Sequence, residues 1–173
     1  MDTKELEAAI YVSSEEFEEL TRRVAERIQT DGFAPEMIVC INRGGMYPSR
    51  KLSDFLDINQ IYSTGATNYD ENNQPLEKPV ITQRLDEIGP RLRGRRVLVV
   101  DEVCQTGGTM EMIVAHVHEF NPLEVRTAVL HVKPQRVFEP DYHNGSVAEW
   151  VVYHWETEEY KRFLARQEEE QKG

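Results

Sequence analysis

The chain has 173 residues, 39% of them hydrophobic, and Lys+Arg 20 against Asp+Glu 31 gives a net charge of -11. That length predicts a single domain over 1–173, able to bury roughly 70% of its unfolded surface, and the acid excess argues against a nucleic-acid partner, whose binding runs on phosphate neutralisation. No apolar stretch approaches the roughly 20 residues that cross a bilayer, so no membrane partner is expected.

The first ten residues, MDTKELEAAI, lack the apolar core of a secretory leader. Cys40 and Cys104 stand far apart without metal-ligand spacing, and a reducing cytoplasm is the expected setting. Ser13 and Glu16 form a capping box, after which Phe17, Leu20, Val24 and Ile28 recur at helical spacing until Gly32. Met37 to Ile41 reads as a buried strand, followed by Asn42-Arg43-Gly44-Gly45 and a helix from Tyr47 to Leu56. Ile58 to Ser63 reads as the next strand. From Thr64 to Arg96 no period is sustained, and a stretch that long inside a compact domain is more often a lid over a site than a plain connection. Part of it is compatible with a hairpin turning at Asp70 to Gln74. Val97 to Asp101 is a buried strand, and Met110, Ile113, Val114 and Val117 mark one face of a helix from Thr109 to Phe120. Val125 to Val132 and Trp150 to Tyr153 supply further strands, and the acidic runs Glu15 to Glu19 and Glu156 to Glu170 read as solvated helix faces. Strands alternating with helices predict an α/β fold with a mainly parallel central sheet flanked by helices, whose ligands sit at the carboxyl ends of the strands.

The run Val97 to Thr109 carries the most chemistry. Its strand ends on Asp101 and Glu102, whose side chains point to opposite faces and can hold different parts of one polyhydroxylated, metal-bearing ligand. Thr106, Gly107, Gly108 and Thr109 then offer backbone N–H groups and hydroxyls without bulk where a helix begins, which suits a phosphate. At the end of the Met37 strand, Gly44 and Gly45 let the backbone approach an anion and Arg43 adds a fork of donors. His116, His118, His131, His143 and His154 form no metal-ligand pattern and read as packing and surface residues.

Four apolar residues, two acids, a short variable stretch and Thr-Gly-Gly-Thr resemble the phosphoribosyl-pyrophosphate (PRPP) signature of type I phosphoribosyltransferases. The resemblance implies that fold, with a mobile lid at about 64–96 and a small base-binding hood at about 133–156. It implies that Asp101 and Glu102 meet the ribose hydroxyls and Mg2+, and that the loop of Val103, Cys104, Gln105, Thr106, Gly107, Gly108 and Thr109 wraps the 5′-phosphate. It makes Arg43, Gly44 and Gly45 the pyrophosphate loop, with a cis or otherwise unusual Asn42–Arg43 peptide. From about Tyr11 to Glu156 the chain is similar to bacterial xanthine-guanine phosphoribosyltransferases, which assigns Lys133 to the 6-oxo group of a purine, Trp150 to stacking on it, Val151 to main-chain contacts and Glu156 to the neighbourhood of the 2-substituent. The residues at 68 to 74 look like the lid segment of those enzymes. The implied activity is transfer of the phosphoribosyl group from PRPP to xanthine, guanine or hypoxanthine, by a homodimer or homotetramer.

One position departs from the pattern. Members acting on 6-oxopurines carry Asp before the signature Thr, placed to exchange a proton at the ring N7, and this chain has Gln105, which has no titratable proton near neutral pH. A different acceptor base, or a PRPP or nucleotide sensor without turnover, are the other readings that this substitution leaves open.

Overall fold

The computed structural model describes residues 9–69 and 75–170. Strand β1 (Ile10–Val12) leads into helix α1 (Ser14–Thr30), whose start is fixed reciprocally: Glu16 N–H donates to Ser13 Oγ at 3.2 Å and Ser13 N–H to Glu16 Oε2 at 2.9 Å. Strand β2 (Met37–Asn42), helix α2 (Met46–Phe55), strand β3 (Ile61–Tyr69) and strand β4 (Pro75–Gln83) follow. After the short helix α3 (Gly89–Leu92) come β5 (Arg96–Val100), β6 (Val103–Cys104), α4 (Gly108–His118), β7 (Glu124–Ala128), β8 (His131–Val132), β9 (Val151–Tyr153) and α5 (Thr157–Glu170).

The central sheet runs β4-β3-β2-β5-β7, parallel except for the antiparallel β3–β4 pair. Its middle strands β2 and β5 are buried on both faces, as the parallel part of the sheet requires. Ile38, Leu98 and Val100 face a core built with Val24, Ala25 and Ile28 of α1 and Leu52 of α2. Val39, Ile41, Val97 and Val99 face the opposite core, with Met110, Ile113 and Val117 of α4. Small parallel pairs β1–β9 and β6–β8 stand outside this sheet.

The chain leaves β2 toward β3 on one side, then returns to place β5 and β7 on the other. The topological switch point, where doubly wound sheets bind ligands, therefore lies between β2 and β5. Their parallel register pairs Cys40 with Val100, so the residues that follow, 41–45 and 101–109, leave the sheet side by side.

Most element boundaries agree with the sequence reading to within two residues, and three elements differ by more. The strand expected at Ile58 to Ser63 begins at Ile61 and runs to Tyr69, and much of the irregular stretch is β4, an antiparallel partner for it. Its period was masked because β4 is an edge strand carrying Pro75 and Pro79, tolerated only where an N–H has no ladder partner. The turn assigned to 70–74 lies outside the described residues. The strand expected over Val125 to Val132 breaks after Ala128, and its continuation, β8, pairs with β6 instead of the central sheet.

Candidate active site

Two clefts meet at Glu102. One, of about 770 Å³, is walled by Asn42, Arg43 and Gly44 after β2, by Gly65 to Thr67, Thr82 and Gln83 of the β3–β4 hairpin, and by Trp155, Glu156 and Glu159 on the far side. The other, of about 310 Å³, is formed by residues 101–107, Thr109 and Met110. The sheet topology brings together what the sequence separates by some sixty positions.

The Asn42–Arg43 peptide is cis. Gly44 has no room for a side chain: a Cβ there would run into the carboxyl of Glu102. Gly45 caps α2, its N–H donating to Ile41 O at 2.9 Å. Asn42 Nδ2 donates to Gln83 Oε1 at 3.0 Å, and buried Thr64 Oγ1 donates to Gln83 O at 2.7 Å, so the loop after β2 is tied to the base of the hairpin. Arg43 reaches across the cleft, where its Nη2 donates to Glu159 Oε1 at 2.9 Å.

The acid pair is held from below. Asp101 N–H donates to Ala128 O at 3.1 Å, while the Glu102 carbonyl accepts from Leu130 N–H at 2.9 Å and from the Tyr153 hydroxyl at 3.4 Å. Burial pushes the Asp101 carboxyl up to about 7, against the Glu102 N–H that donates to its Oδ1 at 2.9 Å. Burial, with Glu156 and Asp101 adding repulsion, pushes Glu102 up to about 9. Glu102 Oε2 is buried without a hydrogen-bond partner. Glu156 is also raised, chiefly by burial, although Tyr153 N–H donates to its Oε2 at 3.1 Å. Carboxyl groups crowded out of water in this way hold their protons more tightly, and a nearby cation would reverse that shift.

Beyond them the phosphate-type turn is clamped from outside. Gly107 stands at φ +95 as the residue before α4, and a Cβ on it would strike the Cβ of Phe138, so both backbone conformation and space demand glycine. Val137 N–H and Phe138 N–H both donate to Thr106 O, at 2.9 and 3.3 Å. Val103 and Cys104 form β6, with the Cys104 thiol pushed up to about 11 by burial, and Gln105 and Thr106 are exposed at the cleft.

The residues expected at a base lie behind this loop. Lys133, 6% exposed, donates its N–H to Cys104 O at 2.9 Å and its ammonium group to Glu149 O. Burial lowers the pKa of Lys133. Trp150 is half-buried and stacks on Phe163 of α5, 6.4 Å between centroids at 4°. Val151 is buried and paired with Ile10. None of Lys133, Trp150 and Val151 lines either cleft, whereas Glu156 does. The tryptophan at the cleft is Trp155, sandwiched between Tyr47 at 4.4 Å and 4° and Tyr153 at 4.7 Å and 2°. Sequence reading passed over Trp155, Tyr47, Gln83 and Glu159. Adjacency to Glu156 was a signal for the first; the others carry none that a single sequence reveals.

Comparison with known proteins gives the family of this arrangement. Residues 8–162 match the family model described as a phosphoribosyl transferase domain. The chain belongs to the phosphoribosyltransferase family. Among relatives of this phosphoribosyltransferase, xanthine phosphoribosyltransferase 1 of Saccharomyces cerevisiae is 29% identical, the match covering 87% of this chain and 90% of the relative. Xanthine-guanine phosphoribosyltransferase of Idiomarina loihiensis is 26% identical, covering 84% and 86%. Solved structures agree: a purine phosphoribosyltransferase from Pyrococcus horikoshii has a TM-score of 0.71 at 26% identity, covering 86% of this chain and 94% of its own. A Neisseria gonorrhoeae protein solved with bound ppGpp reaches a TM-score of 0.77 at 30% identity, covering 89% and 94%. The enzyme therefore shares the type I phosphoribosyltransferase fold, and no helix among its described residues is long and apolar enough to cross a membrane.

Proposed function

We propose that this phosphoribosyltransferase moves the 5-phosphoribosyl group of PRPP to a ring nitrogen of a 6-oxopurine, xanthine, guanine or hypoxanthine, and releases pyrophosphate. The observation that carries the PRPP half is the convergence on Glu102 of the loop at 42–45 and the loop at 101–109. The names of two relatives, one a xanthine and one a xanthine-guanine enzyme, support the acceptor.

In the reaction the ribose C1–O bond to pyrophosphate breaks and a C1–N bond to the base forms, through a centre with cationic character. Arg43 and the backbone N–H groups of Arg43 and Gly44 take up charge that develops on the leaving group. The turn Thr106 to Thr109 holds the 5′-phosphate at the start of α4, and Asp101 with Glu102 hold the ribose hydroxyls. The β3–β4 hairpin covers the cleft and excludes water, the competing nucleophile. Asp101 and Glu102 also fit Mg2+: they are hard oxygen donors, raised by burial, with one oxygen unpartnered, and Mg2+ takes one or two carboxylates and completes its shell with substrate oxygens and water. When bound it would neutralise the pyrophosphate. On the base side Lys133 donates to the 6-oxo group, and Trp150, Val151 and Glu156 bound the ring, which requires Trp150 to exchange Phe163 for the base.

Gln105 favours a second reading, in which the acceptor is a different base, because an amide accepts no proton at N7. One series of assays decides. Turnover with PRPP and Mg2+ is measured on xanthine, guanine, hypoxanthine and adenine for the wild type and for Gln105→Asp. The 6-oxopurines are expected to react and adenine, whose 6-amino group offers the Lys133 ammonium no acceptor, to react at least about a hundredfold less well. Gln105→Asp should raise 6-oxopurine turnover by about tenfold or more. Activity with adenine equal to guanine, or no 6-oxopurine activity in either form, replaces the first reading with the second.

A further inference from the structure

Glu159 has no place in the functional reading above, yet it lies in the same cleft. It projects from the first turn of α5 and accepts from Arg43 Nη2 at 2.9 Å, a contact between residues 116 positions apart. Both side chains remain largely in water, 81% exposed for Arg43 and 57% for Glu159. Among the described residues that line the large cleft, Arg43 is the one cationic side chain, and Glu102, Glu156 and Glu159 are its acids. Helix α5 is packed on the body of the protein: Tyr160 is buried, against Tyr11 at 6.0 Å between ring centroids, and Phe163 stacks on Trp150. Glu159 is therefore delivered to Arg43 by a packed element.

Glu159 engages one nitrogen, Nη2, of the guanidinium, and a phosphate that takes a two-donor edge containing Nη2 competes with the carboxylate for it with similar geometry. We propose that Glu159 sets the affinity of this enzyme for pyrophosphate-bearing ligands by occupying Arg43 in the free protein, so that binding exchanges one anion for another. The proposal rests on the assignment of the 42–45 loop to pyrophosphate. Exposed ion pairs are worth about 0.2–1 kcal/mol, so release of Arg43 should tighten binding up to about fivefold.

The test is calorimetric titration with magnesium pyrophosphate of the wild type, Glu159→Gln and, as a control, Glu158→Gln. Glu158 lies on the same turn, is exposed and pairs with Lys161 at 2.7 Å, so its substitution removes the same charge without touching Arg43. Expected are a Kd about two- to fivefold lower for Glu159→Gln, a parallel fall in the KM for PRPP, and wild-type affinity for Glu158→Gln. An unchanged or raised Kd in Glu159→Gln would mean that Glu159 orients Arg43 for the ligand, and overturns the proposal. An equal gain in both variants would mean that only net charge matters, and overturns it as well. If the wild type binds no pyrophosphate, the loop assignment falls and the inference with it, an outcome distinct from the other two.

Discussion

Gly44 and Glu102 touch because β2 and β5 are neighbours in parallel register, and their contact fixes how far the loop at 42–45, proposed to hold pyrophosphate, stands from the acid pair. Gly44→Ala would place a methyl group where the Glu102 carboxyl now sits. Side-chain atoms can yield more easily than backbone, so the fold should survive while the carboxyl is displaced. The expected outcome is a fall in PRPP-dependent kcat/KM of about a hundredfold, because a misplacement of 1 Å at a positioned group costs on that order, with a melting temperature within a few degrees of wild type. Loss of the folded protein instead would show that the site tolerates no shift at all. The type of residue needed here, a glycine after the strand and a double acid after its neighbour, is visible in the sequence; that the two meet is not.

Among elements, the lid-like stretch shows where sequence patterning stopped. Prolines and exposed residues hid β4, and nothing in the order of residues pointed to what anchors its far end. That anchor is His116 of α4, 1% exposed, whose Nε2 accepts from Leu85 N–H at 3.1 Å while its Nδ1 lies 3.1 Å from Glu119 Oε2. A histidine on an apolar helix face reads as packing, and it does pack, against Phe120 at 5.2 Å, but it also satisfies a backbone donor that β4 leaves unpaired as it ends. His116→Leu should cost about 1–3 kcal/mol in urea denaturation, the penalty of a buried N–H without a partner. The exposed His118, two residues on, should tolerate Ala within about 0.5 kcal/mol. Equal losses at both positions would refute the role given to His116. The same lesson holds for Trp150 and Trp155, alike in sequence and divided only by packing: one stacks on Phe163 of α5, the other between Tyr47 and Tyr153 beside the acids.

For the whole molecule, the crowded carboxyls tie stability to pH and to ligand. Below about pH 4 an unfolded glutamate and Glu102 are both protonated. As pH rises the unfolded chain ionises at its ordinary value, whereas the folded chain keeps the Glu102 proton until about 9, so the native state holds more protons and loses stability with rising pH across that window. His131, pushed down to about 4 by burial and by Lys133, changes well below this range; Asp101, pushed up to about 7, adds to the loss in its lower part, and the Cys40 and Cys104 thiols, pushed up to about 11 by burial, add only above about pH 8, where an unfolded thiol ionises, which leaves Glu102 the chief carboxyl between pH 7 and 9. The melting temperature of the free protein should fall by about 5 °C over that range. Glu102→Gln should flatten the fall, and Mg2+ with pyrophosphate should reverse it in the wild type; a slope that survives in Glu102→Gln would place its origin elsewhere. By itself the sequence determined the family, the α/β class, the capped first helix and the residue types of both anion loops, because these rest on spacing within short runs whose local geometry is fixed by strand alternation and glycine. Tertiary structure alone decided that the loops share Glu102, that its Oε2 is buried without a partner and its carboxyl repelled by Asp101 and Glu156, and that Glu159 reaches Arg43. Each of these depends on strand order and on helices packed from distant parts of the chain, and burial, which shifts a carboxyl by units of pKa, is a property of the folded whole.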